Sequence, residues 1–464
     1  MTPPKATRGA APGERAVLAT AALGTMLLPL NSTMIAVALP DIVDDLDVSV
    51  ASTAWLVSGY LIAQASLQPL AGKLGDRLGR RTLILAGLIS FGLVSLGAAV
   101  APSLGVLIAF RVLQAVTGAL VFPNSLALVR ELLPQERRGT VFGMLGSAIG
   151  LAAAGGPPVG GLLVGIGGWR AIFLVNLPWV VAAVSLALRS VPARLARETR
   201  GRFDTAGAVA LSLLLGSTAW LFNPGDVPGW AGPVGAAALA GLVVIFVRYE
   251  LAHEDPVLDP RFLRVRPLAA ATASVGLSNL ALYGTLLAVP VLLAGRPGWS
   301  GGEIGFALAA MSVPMFVLSP VGGRLSDRAG RRVAAVIGLA LLTVGLLPLV
   351  VAGTDVGSAL LLGSLALTGA GLGLSNAAVQ AAGVEALEPS RAGVASGIFS
   401  TGRYLGGIAA AGLVAALVNS AQPDYGKLFA VAAAAALLST LLALALPGRT
   451  ARLPDAIRPR ASTT

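Results

Sequence analysis

The chain has 464 residues and a formal net charge of +11, yet 55% of it is hydrophobic and only 12% charged, with a mean hydropathy of +0.82. Soluble domains carry about 25% charged residues, so half of the usual solvating surface is missing and lipid replaces water over most of the exterior. The absence of cysteine excludes disulfides, thiolate catalysis and Cys-based metal sites, and the lone histidine, His253, excludes an imidazole cluster.

A membrane-spanning helix needs about 20 mostly apolar residues. Runs of that kind fall at 16–39, 50–71, 82–101, 104–129, 140–165, 170–188, 205–222, 231–249, 268–294, 301–323, 333–352, 357–382, 392–418 and 427–446. They predict an all-α integral membrane protein with about fourteen transmembrane helices. The first run follows a tail with Lys5, Arg8 and Arg15 and is too long for a cleaved signal peptide. Basic residues concentrate in alternate loops: Lys73, Arg77, Arg80 and Arg81; Arg194, Arg197, Arg200 and Arg202; Arg261, Arg264 and Arg266; Arg324, Arg328, Arg331 and Arg332. The intervening loops are acidic, with Asp41, Asp44, Asp45, Asp47, Asp226, Glu303, Asp355 and Asp424. The positive-inside rule then places both termini in the cytoplasm. Because the basic residues lie between apolar runs and not beside aromatic faces, no nucleic-acid module is indicated.

The chain repeats itself. The segment from Gly72 through Asp76, Arg77, Gly79, Arg80 and Arg81 returns as Gly323 through Asp327, Arg328, Gly330, Arg331 and Arg332. Arg137, Gly139 and Gly143 return as Arg391, Gly393 and Gly397. Two such matches predict homologous six-helix halves over 16–190 and 268–446, with two helices inserted between them at 204–249 and terminal tails at 1–15 and 447–464.

The Gly72–Arg81 segment resembles the signature loop of major facilitator transporters. Three further segments resemble the fourteen-helix drug/proton antiporters of that superfamily: Leu30–Pro40 with Asn31 and Thr33, the fifth-helix run with Gly150, Gly156, Pro157, Gly160 and Gly161, and Trp169–Pro178. Read as residues, the glycines of the fifth run form small-xxx-small pairs that let helices approach, and Pro157 and Pro158 bend the helix. The resemblance implies a seal between the halves there, a gating role for Gly72, Asp76, Arg77, Gly79, Arg80, Arg81, Asp327 and Arg328, and alternating access around a midplane site. It further implies a monomeric exporter of a small organic compound in the bacterial inner membrane, with no cofactor and the proton as coupling ion.

Charge inside the bilayer is costly and usually functional. Arg111 and Arg403 lie within apolar runs and resemble recurrent arginine segments of the family. The first and fourth helices of each half line the pathway in this superfamily, which makes Asn31, Thr33, Arg111, Gln114, Asn124, Asn279, Tyr283, Asn376 and Gln380 the candidate cavity residues, with Trp55, Tyr60 and Gln64 of the second helix beside them. The chain departs from the drug antiporters at Asn31, where they usually carry Asp, and the 22 acidic residues fall in loops or at predicted helix ends. Coupling through a rim acid (Asp41, Asp76 or Glu303) and a proton-independent or uptake transporter therefore both stay open. Gly72-Lys73 and Gly426-Lys427 are each followed by leucine, so neither completes a phosphate-binding loop of an ATP-driven pump, and no enzyme constellation is visible.

Overall fold

The computed structural model describes residues 12–132, 135–192, 204–222, 231–253, 256–296, 298–353, 356–388, 392–418 and 423–448, with the side chain of Asp76 outside the described set. Among these residues the regular elements are helical. The first half runs through α1 (Pro12–Leu46), α2 (Val50–Leu78), α3 (Arg80–Ala99), α4 (Leu104–Leu132), α5 (Gln135–Gly167), the single turn α6 (Ala171–Leu174) and α7 (Asn176–Ser190). Then come α8 (Thr205–Phe222), α9 (Ala231–Ala252) and a 3-10 turn (Pro260–Arg264). The second half holds α10 (Arg266–Ala294), α11 (Gly301–Ala329), α12 (Arg331–Ala352), α13 (Ser358–Val384), α14 (Ala392–Val418) and α15 (Tyr425–Ala443).

Among the described residues, thirteen helices are long and apolar enough to cross a bilayer, counting α6 and α7 together as Ala171–Ser190. The apolar stretch of α8, Ala206–Leu221, is shorter. At 1.5 Å per residue its 18 residues still reach about 27 Å, close to the ~30 Å hydrocarbon thickness, and give the fourteenth crossing.

The sequence repeat is a packing repeat. In the first half α1 packs on α5 and α7, α2 on α4, and α3 on α4 and α7; in the second, α10 packs on α14 and α15, α11 on α13, and α12 on α13 and α15. The halves meet along two equivalent seams, α5 against α11 and α2 against α14, with α1 touching α10 between them. The largest cluster of buried apolar side chains runs through both halves, from Leu28 and Leu61 to Val289 and Leu428. The inserted pair is unequal. Helix α8 packs on α2, α14 and α9, with Leu211, Leu215 and Ala219 buried, whereas α9 turns Val243, Val244 and Ile245 outward to lipid.

Helix α2 outlasts its apolar run and continues to Leu78, so Gly72, Gly75, Asp76 and Arg77 are helical rather than a loop. The turn itself is Gly79, at φ 90, and its counterpart Gly330 is at φ 98. With ψ at 128 and 157 both lie in a region open essentially to glycine alone, where another residue costs on the order of 1–3 kcal/mol. That is the physical reason both copies keep glycine there.

Candidate functional site

Arg111 of α4 is 1% exposed. Its Nε donates to the Leu56 carbonyl at 3.4 Å, and its Nη1 donates to Asn31 Oδ1 and, at 3.2 Å, to Gln114 Oε1. The guanidinium lies 4.1 Å from the centre of the Tyr60 ring, and Tyr60 donates its hydroxyl to the Leu28 carbonyl. Gln114 Nε2 in turn donates to Ser95 Oγ, which also accepts from Asn176 Nδ2. Five helices of the first half thus converge on one polar network held around a buried cation. No partner described for Arg111 is a carboxylate. One donor of this neighbourhood, Arg111 Nη2, is buried without a hydrogen-bond partner.

The second half reaches the same place. Tyr283 of α10 sets its hydroxyl against Ser32 of α1 and lies within electrostatic reach of both Arg111 and Arg403. Arg403 is half-buried in α14, 5.4 Å over the Phe399 ring, beside Tyr404, whose hydroxyl meets Gln68 of α2. Two arginines and three tyrosines therefore gather where α1, α2, α4, α10 and α14 meet.

Other candidates have different surroundings. Thr33 bonds back to the Pro29 carbonyl, and a Cβ on Gly156 would collide with its Oγ1, so Thr33 and Gly156 are the α1–α5 contact. Asn124 donates to the Ala71 and Leu120 carbonyls and fills the space over Gly75, joining α4 to α2. Asn279 bonds within its own helix to Val275. Asn376 and Gln380 are exposed, one turn apart on α13. In the fifth-helix run, Gly160 lies against the Met34 backbone and Gly161 against the backbone of Gly305, which in turn lies close to the Pro157 carbonyl. Gly150 has open space beside it. The Trp169–Pro178 segment begins with a clamp: Trp169 Nε1 and Arg170 Nη1 both donate to Asp45 Oδ2, at 3.1 and 2.8 Å.

At the arginine-rich ends, the repeat extends to acids that the motif does not contain. Arg80 pairs with Glu131 at the end of α4, and Arg331 with Glu385 just beyond α13. Both acids are displaced by the offset that relates Arg137 to Arg391, a signal present in the sequence but outside the signature segment. Arg331 takes Glu385 in bidentate fashion, Nε to Oε2 at 3.1 Å and Nη2 to Oε1 at 2.8 Å, and Asp327 only through Nη1 at 2.7 Å. Bidentate pairs are the stronger ones, and Asp327 is 74% exposed on its side chain. Glu385→Gln is therefore expected to lower the melting temperature measurably, through a loss of about 0.5–1 kcal/mol, while Asp327→Asn stays within about 0.5 kcal/mol of wild type. Equal melting curves for both purified variants would refute this ranking.

A family model described as Major Facilitator Superfamily matches residues 21–253 and 268–463. The chain belongs to the major facilitator superfamily. It is 35% identical to YvkA, an uncharacterised MFS-type transporter of Bacillus subtilis, over 90% of this chain and 94% of the relative. It is 31% identical to the tetracenomycin C resistance and export protein of Streptomyces glaucescens, over 88% of this chain and 76% of that one. A third relative, the multidrug resistance protein Stp of Mycobacterium tuberculosis, is 32% identical over 83% of this chain and 72% of its own length. The protein is thus a multi-pass membrane transporter of the superfamily.

Proposed function

We propose that this transporter exports a small organic compound across the bacterial inner membrane by alternating access, in exchange for protons, with both termini in the cytoplasm and the monomer as the working unit. The observation that carries the substrate class is the buried Arg111 network: a fixed cation with no described acidic partner, and one of its own donors, Nη2, left unpaired. An unpaired buried donor costs about 1–3 kcal/mol, and a ligand rich in hydrogen-bond acceptors relieves that cost. A neutral or anionic compound suits this site better than a strong cation. The named activities of the tetracenomycin C and multidrug resistance relatives support the direction. The α5–α11 seam supports the mechanism, because the close approach of Gly161 to Gly305 lets the acidic-side ends of the two halves shut tightly.

A second reading, proton-independent or inward transport of a metabolite, is favoured by Asn31, an amide that cannot titrate. Proteoliposomes with an imposed pH gradient separate the two. Under the export reading, loaded compound is driven against its gradient by inward protons, and a protonophore abolishes accumulation. Flux that ignores the pH gradient supports the second reading.

A further inference from the structure

The buried carboxylates among the described residues lie away from the arginine network: they are Asp204, 2% exposed, and Glu250, 1% exposed. Asp204 caps the N-terminus of α8, and Glu250 sits in the last turn of α9. Their outer oxygens are well served. Asp204 Oδ1 accepts from the Gly207 amide at 2.7 Å and from the Tyr249 hydroxyl at 2.8 Å, with His253 Nε2 at 3.9 Å. Glu250 Oε2 accepts from the Leu258 amide at 3.0 Å. The remaining two oxygens, Asp204 Oδ2 and Glu250 Oε1, are buried without any partner. Both lie over Gly207, where an added Cβ would collide with each of them.

Two ionised carboxylates with unserved oxygens around the same Gly207 position repel each other in a medium that screens poorly. One proton resolves both orphan atoms at once. We propose that Asp204 and Glu250 bind a single shared proton, carried on Glu250 Oε1 and donated to Asp204 Oδ2. Asp204 is placed as the acceptor, because its carboxylate already takes the Gly207 amide and the Tyr249 hydroxyl at the α8 N-terminus. A metal ion fits poorly, since hard cations take about six oxygen ligands and only two are free here.

The elements packed on α8 are α2, α9 and α14. The titratable side chains described against the pair are Tyr249 and His253, both from α9; the two rings stack with centroids 5.1 Å apart. Arg261, from the 3-10 turn that follows, spends its guanidinium on the Leu251 carbonyl at 2.5 Å. His253 is 38% exposed on its side chain, which gives the proton a route to water. Helix α8 wedges into the seam between α2 and α14, so a proton bound at its base bears on how the two halves meet. Loss of that proton sets two charges against each other and loosens α8 from α9.

Infrared difference spectra of the purified full-length protein, between neutral and alkaline pH, test this without any transport assay. Wild type is expected to show the carbonyl stretch of a neutral carboxylic acid that disappears at high pH. Glu250→Gln, whose amide can donate to Asp204 in the same geometry, should lack that band and melt at a temperature independent of pH. Asp204→Asn should lack it too, because its amide donates to an ionised Glu250. Wild-type melting should drop by several degrees across the same alkaline range. An unchanged band in both variants overturns the proposal. So does a wild type with no neutral-acid band, and stabilisation by sodium, potassium or magnesium would then point to a bound cation instead. The readouts stand whatever the substrate or direction of transport proves to be.

Discussion

Oxidising the V164C/G301C double variant is expected to arrest transport almost completely, and reductant to restore it. The chain contains no cysteine, so the engineered pair has no competitor. A Cβ built on Gly301 lies 3.8 Å from Val164 Cβ, matching the mean Cβ–Cβ separation of disulfides, about 3.8 Å. Val164 is near the end of α5 and Gly301 at the start of α11, so the bond would staple the two halves on the acidic side. Alternating access requires those ends to part in every cycle. Flux before oxidation, after it, and after reduction measures the effect, with each single-cysteine variant as control. Full flux in a protein shown to be crosslinked would mean that this seam does not open during transport.

Arg111→Ala is expected to cost at least tenfold in transport rate. The substitution leaves the Asn31 and Gln114 carbonyl oxygens without the donor they face, and each orphaned buried acceptor costs about 1–3 kcal/mol. It also empties the space under the Tyr60 ring. Asn31→Asp has a different signature. The aspartate keeps the acceptor that Arg111 uses and cancels the fixed positive charge, so the protein should remain as stable as wild type or gain slightly, while preference moves from anionic toward cationic compounds. It also adds a titratable group to the Arg111 network, so flux should become more dependent on the pH gradient if that network lines the pathway. Competition among a panel of anionic, neutral and cationic compounds reads the shift. An unchanged preference in Asn31→Asp, together with full flux in Arg111→Ala, would remove this network from the transport pathway.

The fourteen apolar runs were legible because the need to satisfy every backbone group in lipid forces long, uniform helices that any window over the sequence detects. The repeat of Gly72–Arg81 as Gly323–Arg332 was legible for a related reason: a glycine at φ 90 or 98 and an arginine at the next helix start are local requirements. Helix ends were read less well. Polar residues in the last turns of α2 and α11 interrupt hydropathy without interrupting hydrogen bonding, so Asp76 and Asp327 proved to lie in helices.

The sequence by itself thus determined the fold class and the family resemblance, which rest on long apolar runs and on recurring segments. Only the tertiary structure decided which polar groups share a site. Arg111, Asn31 and Tyr60 come from three helices and meet in one network, whereas Thr33 and Asn124, equally polar and equally buried, serve helix packing. Asp204 and Glu250 make the sharper case. Each stands at the end of an apolar run, where sequence reads it as solvated, and both are buried because α9 folds back along α8 and brings one end to the other. Burial and hydrogen-bond partnership are properties of the packed neighbours, and those neighbours are set by chain reversals that no local window contains.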